Sequence, residues 1–226
     1  MPFTHMIVWI FFIGAIIFLY LFTTKRMRQI KKEKRKAALI YQEKKEKYTY
    51  LKEGSLDECP REDVSAAVLF HCMRKEEEDF DNYFDNMNES ERIIYGIYLI
   101  SNSLDSAHAS LHSFFLSPAY EKFVPICAEI FEKVGAYDIY DLMRAARRFA
   151  EIIEKDLEDD ENDPEMGDYA RYNFSDFTNE YLTLISTTNL NEKLTDFVLE
   201  HKDDFYDYDI PEEYLESGDD DEGISE

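Results

Sequence analysis

Apolar residues fall along this chain in two different patterns. From Met6 to Phe22 they run almost unbroken as MIVWIFFIGAIIFLYLF, and none of the first 24 residues carries an ionised side chain. Seventeen residues make a helix of about 25 Å at roughly 1.5 Å per residue, near the hydrocarbon thickness of a bilayer. Further on the period becomes helical. Ile93, Ile97, Ile100, Leu104, His108, Leu111 and Phe115 recur at steps of four and three, which predicts a helix over Glu91–Phe115 with Ser90 as its N-cap. Ile126, Ile130, Phe131 and Val134 predict a second that closes on Gly135, and Ile139, Leu142, Met143, Ala146, Phe149, Ala150 and Ile153 a third. Asp138 near the start of the third, with Arg147 and Arg148 further along, suits the helix dipole.

Between Lys155 and Tyr172, Pro164 and Gly167 break the period and predict a loop. Phe174, Phe177, Tyr181 and Leu184 restore it, and Leu190, Leu194, Phe197 and Val198 form a further helix opened by Asn189 or Asn191. Upstream, Val64 to Phe84 also reads helical, with Val64, Ala67, Val68 and His71 on one stripe. No alternating pattern of any length predicts a strand. The expected fold is all-α: a single-pass N-terminal transmembrane helix (1–24), a basic helical stalk (25–55), one acidic domain of about six helices (56–215) and a disordered acidic tail (216–226).

Flanking charges decide how the first apolar run is read. A secretory signal needs basic residues before the run and a small-residue cleavage site after it, and neither is present. A buried core helix fits poorly with so many consecutive Ile and Phe residues beside a dense cation cluster. An uncleaved anchor is the reading adopted. Lys25, Arg26, Arg28, Lys31, Lys32, Lys34, Arg35 and Lys36 all follow the span, so the positive-inside rule puts the short N-terminus outside and the bulk of the chain in the cytoplasm at the cell membrane.

The net charge of -24 divides into opposite regions. Lys25 to Lys47 holds 11 basic and 3 acidic residues, a local +8, which leaves 14 basic and 46 acidic residues and a net -32 elsewhere. The basic block suits anionic head groups, with Lys25, Arg26, Arg28, Lys31 and Lys32 nearest the span, and equally serves as a topology signal. The acidic part contains too many of the chain's 33 Phe and Tyr residues to be a merely solvating segment. Cys59, Cys72 and Cys127 lack CxxC spacing and fit a reducing compartment.

Candidate chemistry is sparse. Asp105, His108 and His112 share a helical face with metal-ligand spacing, but no fourth ligand is visible and His108 falls in the apolar stripe. The acidic runs 159–163 and 219–222 lack calcium-loop spacing. With 7 glycines there is no phosphate-cradling loop and no nucleophile elbow. The run Glu76-Glu77-Glu78-Asp79 sits among exposed charges. Neither catalysis, a metal nor a cofactor is expected.

The run ERIIYGIYLISNSLDSAHASLHSFFLSPAYEKFVPICAEIFEKVGAYDIYDLMRAARRF resembles the bacterial DNA-mimic protein family, an acidic all-helical domain. Phe114 and Phe115 match its Phe-Phe pair, Gly135 and Ala136 its Gly-Ala close, and Phe149 its final aromatic; FSDFTNEYLTLISTTNLNEKLTDFVLEHKDDF resembles its C-terminal half. The resemblance covers Ser90 to Asp207. Where the family has an Asn-Gly-Gly-Phe turn this chain has His108-Ala109-Ser110-Leu111, so the helix is expected to run straight through.

The resemblance implies an acidic surface that occupies the DNA-binding face of a protein. A domain of about 21 kDa has about 9,000 Å² of surface. Spread evenly, its charge is one per roughly 280 Å², against one per roughly 110 Å² for a duplex, so mimicry requires the acids to gather on one face. The expected contacts are Glu151, Glu154, Asp156, Glu158, Asp159, Asp160, Glu161 and Asp163, where a helix end feeds an acidic loop. The partners expected are membrane lipids, a basic protein and, as a candidate, a second copy of the chain, with no direct nucleic acid. An immunity protein against a nuclease-like toxin, and a structural membrane protein whose acidity serves solubility, are the alternatives.

Overall fold

The computed structural model describes residues 26–104, 110–158 and 174–215. Among them every regular element is helical, and the chain separates into two units, Met1–Lys47 and Tyr48–Glu226. Helix α1 covers 26–48, and its residues from Arg26 to Glu43 are exposed. With Ile30, Leu39 and Ile40 as its scattered aliphatics, it has no apolar stripe to bury. Among the described residues no helix is long and apolar enough to cross a membrane; the expected span 1–24 lies outside them.

The second unit is built from α2 (Val64–Glu78), α3 (Tyr83–Asn86), α4 (Glu89–Ser103), α5 (Leu111–Leu116), α6 (Glu129–Lys133), α7 (Tyr137–Glu158), α8 (Ser175–Thr187), α9 (Leu190–Glu200) and α10 (Glu212–Leu215). Five of these have eleven residues or more, and the rest have four to six. The expected count of about six is therefore corrected to nine described helices, because one-turn helices are too short to show a period.

Helix α4 lies at the centre, packed on α2, α5 and α6, while α7 packs on α5, α6 and α8, and α9 on α2. Its central position explains why Ile94, Tyr95 and Leu99 are buried as well as the predicted stripe Ile93, Ile97 and Ile100. Gly96 allows the closest approach. A Cβ there would stand 3.0 Å from both Ile130 Cδ1 and Phe123 Cδ1. Two aromatic groups fill the core on either side: Tyr83, Phe84 and Tyr95 around Phe123, and Phe115, Phe149 and Phe177 around Phe174. Phe114 and Phe115 are both buried, edge to face at 5.3 Å.

Helix ends differ from the sequence reading, each for a local reason. Asn88, not Ser90, caps α4: its side chain accepts from Glu91 N at 2.9 Å while Glu91 Oε2 accepts from Asn88 N at 2.9 Å, a reciprocal capping box. Ser90 is buried and donates instead to Asp204 Oδ2 at 2.6 Å. Nor does α4 run on to Phe115. Ser103 Oγ turns back to Ile100 O at 2.6 Å, Leu104 adopts φ -102, ψ 2, and the N–H of Leu111 is taken across the fold by Thr178 Oγ1 at 3.0 Å.

Helix α2 stops at Glu78 because Asp79 accepts from Asn82 N and Nδ2 at 3.2 Å, forming a side-chain turn before α3. Helix α7 extends through Lys155 to Glu158, where the periodicity already reads as loop. Gly135 takes the left-handed conformation expected of it (φ 72), and Asn189 opens α9 at φ 50.

Candidate functional site

Of the acids expected to contact a partner, Glu151 is described with its side chain, exposed on α7. Glu154, Asp156 and Glu158 continue α7, but their side chains lie outside the described residues, as do Asp159, Asp160, Glu161 and Asp163 altogether. Asp105 and His108 lie outside them too, and no three His, Cys, Asp or Glu residues form a metal site among the described residues. In α1, Arg26, Arg28, Lys31 and Lys32 are exposed, and Lys25 precedes the described part.

What surrounds Glu151 is a cleft. Arg147, Ala150 and Glu151 occupy one face of α7 at i, i+3 and i+4, opposite Phe115 and the 3₁₀ turn Val124–Ile126. Together with Val124, Pro125 and Glu129 they line a cleft of about 400 Å³. Arg147 Nη1 spans it, donating to Pro125 O at 2.6 Å and to Glu129 Oε2 at 3.0 Å, and its Nε stands 3.8 Å from Glu151.

A second polar assembly is buried, and the sequence reading did not find it. His71 sits on the apolar stripe of α2 and is 1% exposed, with its Nε2 at 2.6 Å from Glu91 Oε1 and its Nδ1 at 3.0 Å from Asp207 Oδ2. Lys75 Nζ donates to both oxygens of Glu91 at 2.7 and 2.9 Å, and Arg74 Nη2 to Asp207 Oδ1 at 2.6 Å. Arg74 also donates to Thr49 O at 3.0 Å and lies over the Tyr50 ring at 4.1 Å. Asp207 closes the assembly by accepting from Leu51 N at 2.9 Å, while its own N–H donates to Leu51 O at 2.8 Å.

Burial pushes the His71 pKa down, but its hydrogen bonds to Asp207 and Glu91 outweigh burial and hold it above the ordinary value. Burial likewise pushes Glu91 and Asp207 up, and both end below the ordinary carboxylate range: Glu91 through His71 and Lys75, Asp207 through His71, Leu51 N–H and Arg74. The signal available in the sequence was the histidine itself, since an ionisable group on an apolar stripe must find partners. Among the thiols, burial raises Cys72 well above its usual pKa and pushes Cys127 up to about 12, so both stay protonated.

Most described cations of this unit are matched by acids. Arg61 pairs with Asp196, Lys202 with Asp57 at 2.6 Å, Lys133 with Glu89 at 2.9 Å, and Arg144 with Asp141 at 3.2 Å, in addition to Arg74, Lys75 and Arg147. Acids also gather where helix dipoles are negative. The last turn of α2 carries Glu76, Glu77 and Glu78 with Asp79 as C-cap, and α9 ends on Glu200. These acids add to the negative end of the helix dipole, offset at Glu76 by the Tyr95 hydroxyl and at Glu78 by Arg74.

No curated protein and no solved structure gives a significant match to this chain. A protein-family model described as DMP19-like protein matches residues 85–201, just over half of the sequence, and spans α4 to α9 together with the central packing described above. This is a DNA-mimic family, in agreement with the resemblance read from the Phe114-Phe115, Gly135-Ala136 and Phe149 landmarks. The chain belongs to the DMP19-like protein family.

Proposed function

We propose that this protein binds a basic, nucleic-acid-binding protein by occupying the face that would otherwise hold nucleic acid, and that it does so from the cytoplasmic side of a membrane. Membership of a DNA-mimic family is the observation that carries the reading. Charge supports it: beyond Lys47, 46 acids face 14 cations, and the described cations are largely spent on internal pairs, so the field presented outward is negative. The membrane part of the proposal rests on the uncharged residues 1–24 followed by the cations of 25–36, with Arg26, Arg28, Lys31 and Lys32 free to meet anionic head groups. An anchored mimic cannot diffuse to the chromosome, so its partner must come to it.

The experiment is a pull-down with the full chain in detergent, eluted with duplex DNA and repeated as salt rises from about 0.1 to about 0.5 M. Basic proteins are expected to elute with DNA and to be lost with salt, because counterion release and screening weaken such contacts steeply. Recovery of no basic protein, or binding indifferent to both salt and DNA, overturns the proposal.

A further inference from the structure

We infer that the cleft between α5 and α7 is the anchoring point of this contact: it takes one apolar side chain of a basic segment, whose flanking Lys or Arg residues meet Glu129 and Glu151. The inference rests on the binding role proposed above and specifies where the partner attaches and what it must carry. Phe115, Val124, Pro125 and Ala150 supply apolar walls to a cleft of about 400 Å³, within the range of small ligand sites. Its rim is acidic. Glu129 and Glu151 are 47% and 63% exposed, and the single guanidinium between them, Arg147, is committed to Pro125 O and to both Glu129 oxygens. Glu151, 3.8 Å from Arg147, therefore keeps acceptor capacity turned to solvent.

Charge complementarity selects the occupant. Two carboxylates against one already committed cation repel an acidic segment and attract a basic one, but exposed charges alone bind weakly and are screened by salt. An apolar side chain desolvated in the cleft adds the kind of central anchor that dominates interface energetics, while the acids form its polar rim. Glu151 is also, in chain order, the first of the acids expected from the sequence to meet a partner.

The test uses the full chain in detergent and two dye-labelled peptides, Lys-Arg-Phe-Arg-Lys and Lys-Arg-Ala-Arg-Lys, followed by fluorescence anisotropy at low salt. The Phe peptide is expected to bind about tenfold more tightly. Ala150→Leu, which grows into the cleft, should erase that difference and leave the Ala peptide unaffected; Val124→Gln, which makes one wall polar, should do the same if the first variant does not fold. Glu129→Gln with Glu151→Gln should weaken both peptides by a similar factor, about threefold. Equal affinity of the two peptides for the unaltered protein, or a preference that survives in a folded Ala150→Leu or Val124→Gln variant, overturns the cleft while leaving the basic-partner reading intact. Binding of neither peptide overturns both.

Discussion

His71 stands between two carboxylates, and a neutral imidazole has only one N–H to give. With Glu91 Oε1 at 2.6 Å on one side and Asp207 Oδ2 at 3.0 Å on the other, deprotonation would set a ring lone pair against a carboxylate oxygen. The imidazolium is the form that this geometry stabilises. Its raised pKa means that its contribution to stability is complete below the unfolded value of about 6.5 and fades as pH rises through the folded value above it. Glu91 and Asp207 have lowered values, so their contribution is present above about pH 4.5 and is lost as pH falls through their folded values. Urea unfolding followed against pH should thus show greatest stability between about 4.5 and 6.5, with decline on both sides. His71→Gln should cost about 3 kcal/mol near pH 6, the low end for a broken buried pair because Lys75 and Arg74 remain with the two acids, and should flatten the alkaline decline. A variant that keeps the decline would show that another group causes it. Burial of His71 was legible in its stripe; its partners, 20 and 136 residues away, were not.

At the scale of helices, the periods were legible and the ends were not. Ile93, Ile97 and Ile100 lie inside as their spacing requires, because burial repeats with the helical turn. Ends are set by single hydrogen bonds that periodicity does not record: Asn88 with Glu91, Asp79 with Asn82, Leu111 with Thr178. The first was available as an Asn-x-x-Glu signature and was displaced by the serine two residues later. Because Asn88 both caps α4 and donates to Asp204 O at 2.6 Å, Asn88→Ala should destabilise the protein by about 1–2 kcal/mol, measured as a fall in the urea midpoint at unchanged slope, whereas Ser90→Ala should leave the cap intact. Equal loss of helical content in both variants would contradict this division of labour. The acidic stretch after α7 was legible as composition, but its arrangement is a matter of tertiary placement that composition does not specify.

At the scale of the whole molecule, opposite charges are segregated along the chain, +8 from Lys25 through Lys47 and -32 after it. The proposed anchor makes an orientation test possible. Exchanging Lys25, Arg26, Arg28, Lys31 and Lys32 for Gln should scramble the sidedness of insertion, so that protease added to sealed inside-out vesicles digests the acidic unit completely in the natural sequence and only partly in the variant. Identical digestion of both would show that these cations do not set topology. The acidic balance was plain from the sequence. The cleft beside Glu151 was not, because its walls come from Phe115, Val124 and Ala150 on separate elements that only packing brings together.

The clasp between Leu51 and Asp207 also bears on how the chain is made. Leu51 and Asp207 exchange two hydrogen bonds across 156 residues, and Asp207 is the group on which both His71 and Arg74 depend. During synthesis His71 on α2 can meet Glu91 once 20 further residues have emerged, but Asp207 follows it by 136 residues, so the histidine lacks its second carboxylate until then. Folding of this unit cannot finish segment by segment from its beginning; it is completed by its far end, and a ribosome that stalls short of Asp207 releases a chain whose buried charges are left open to water and to proteases.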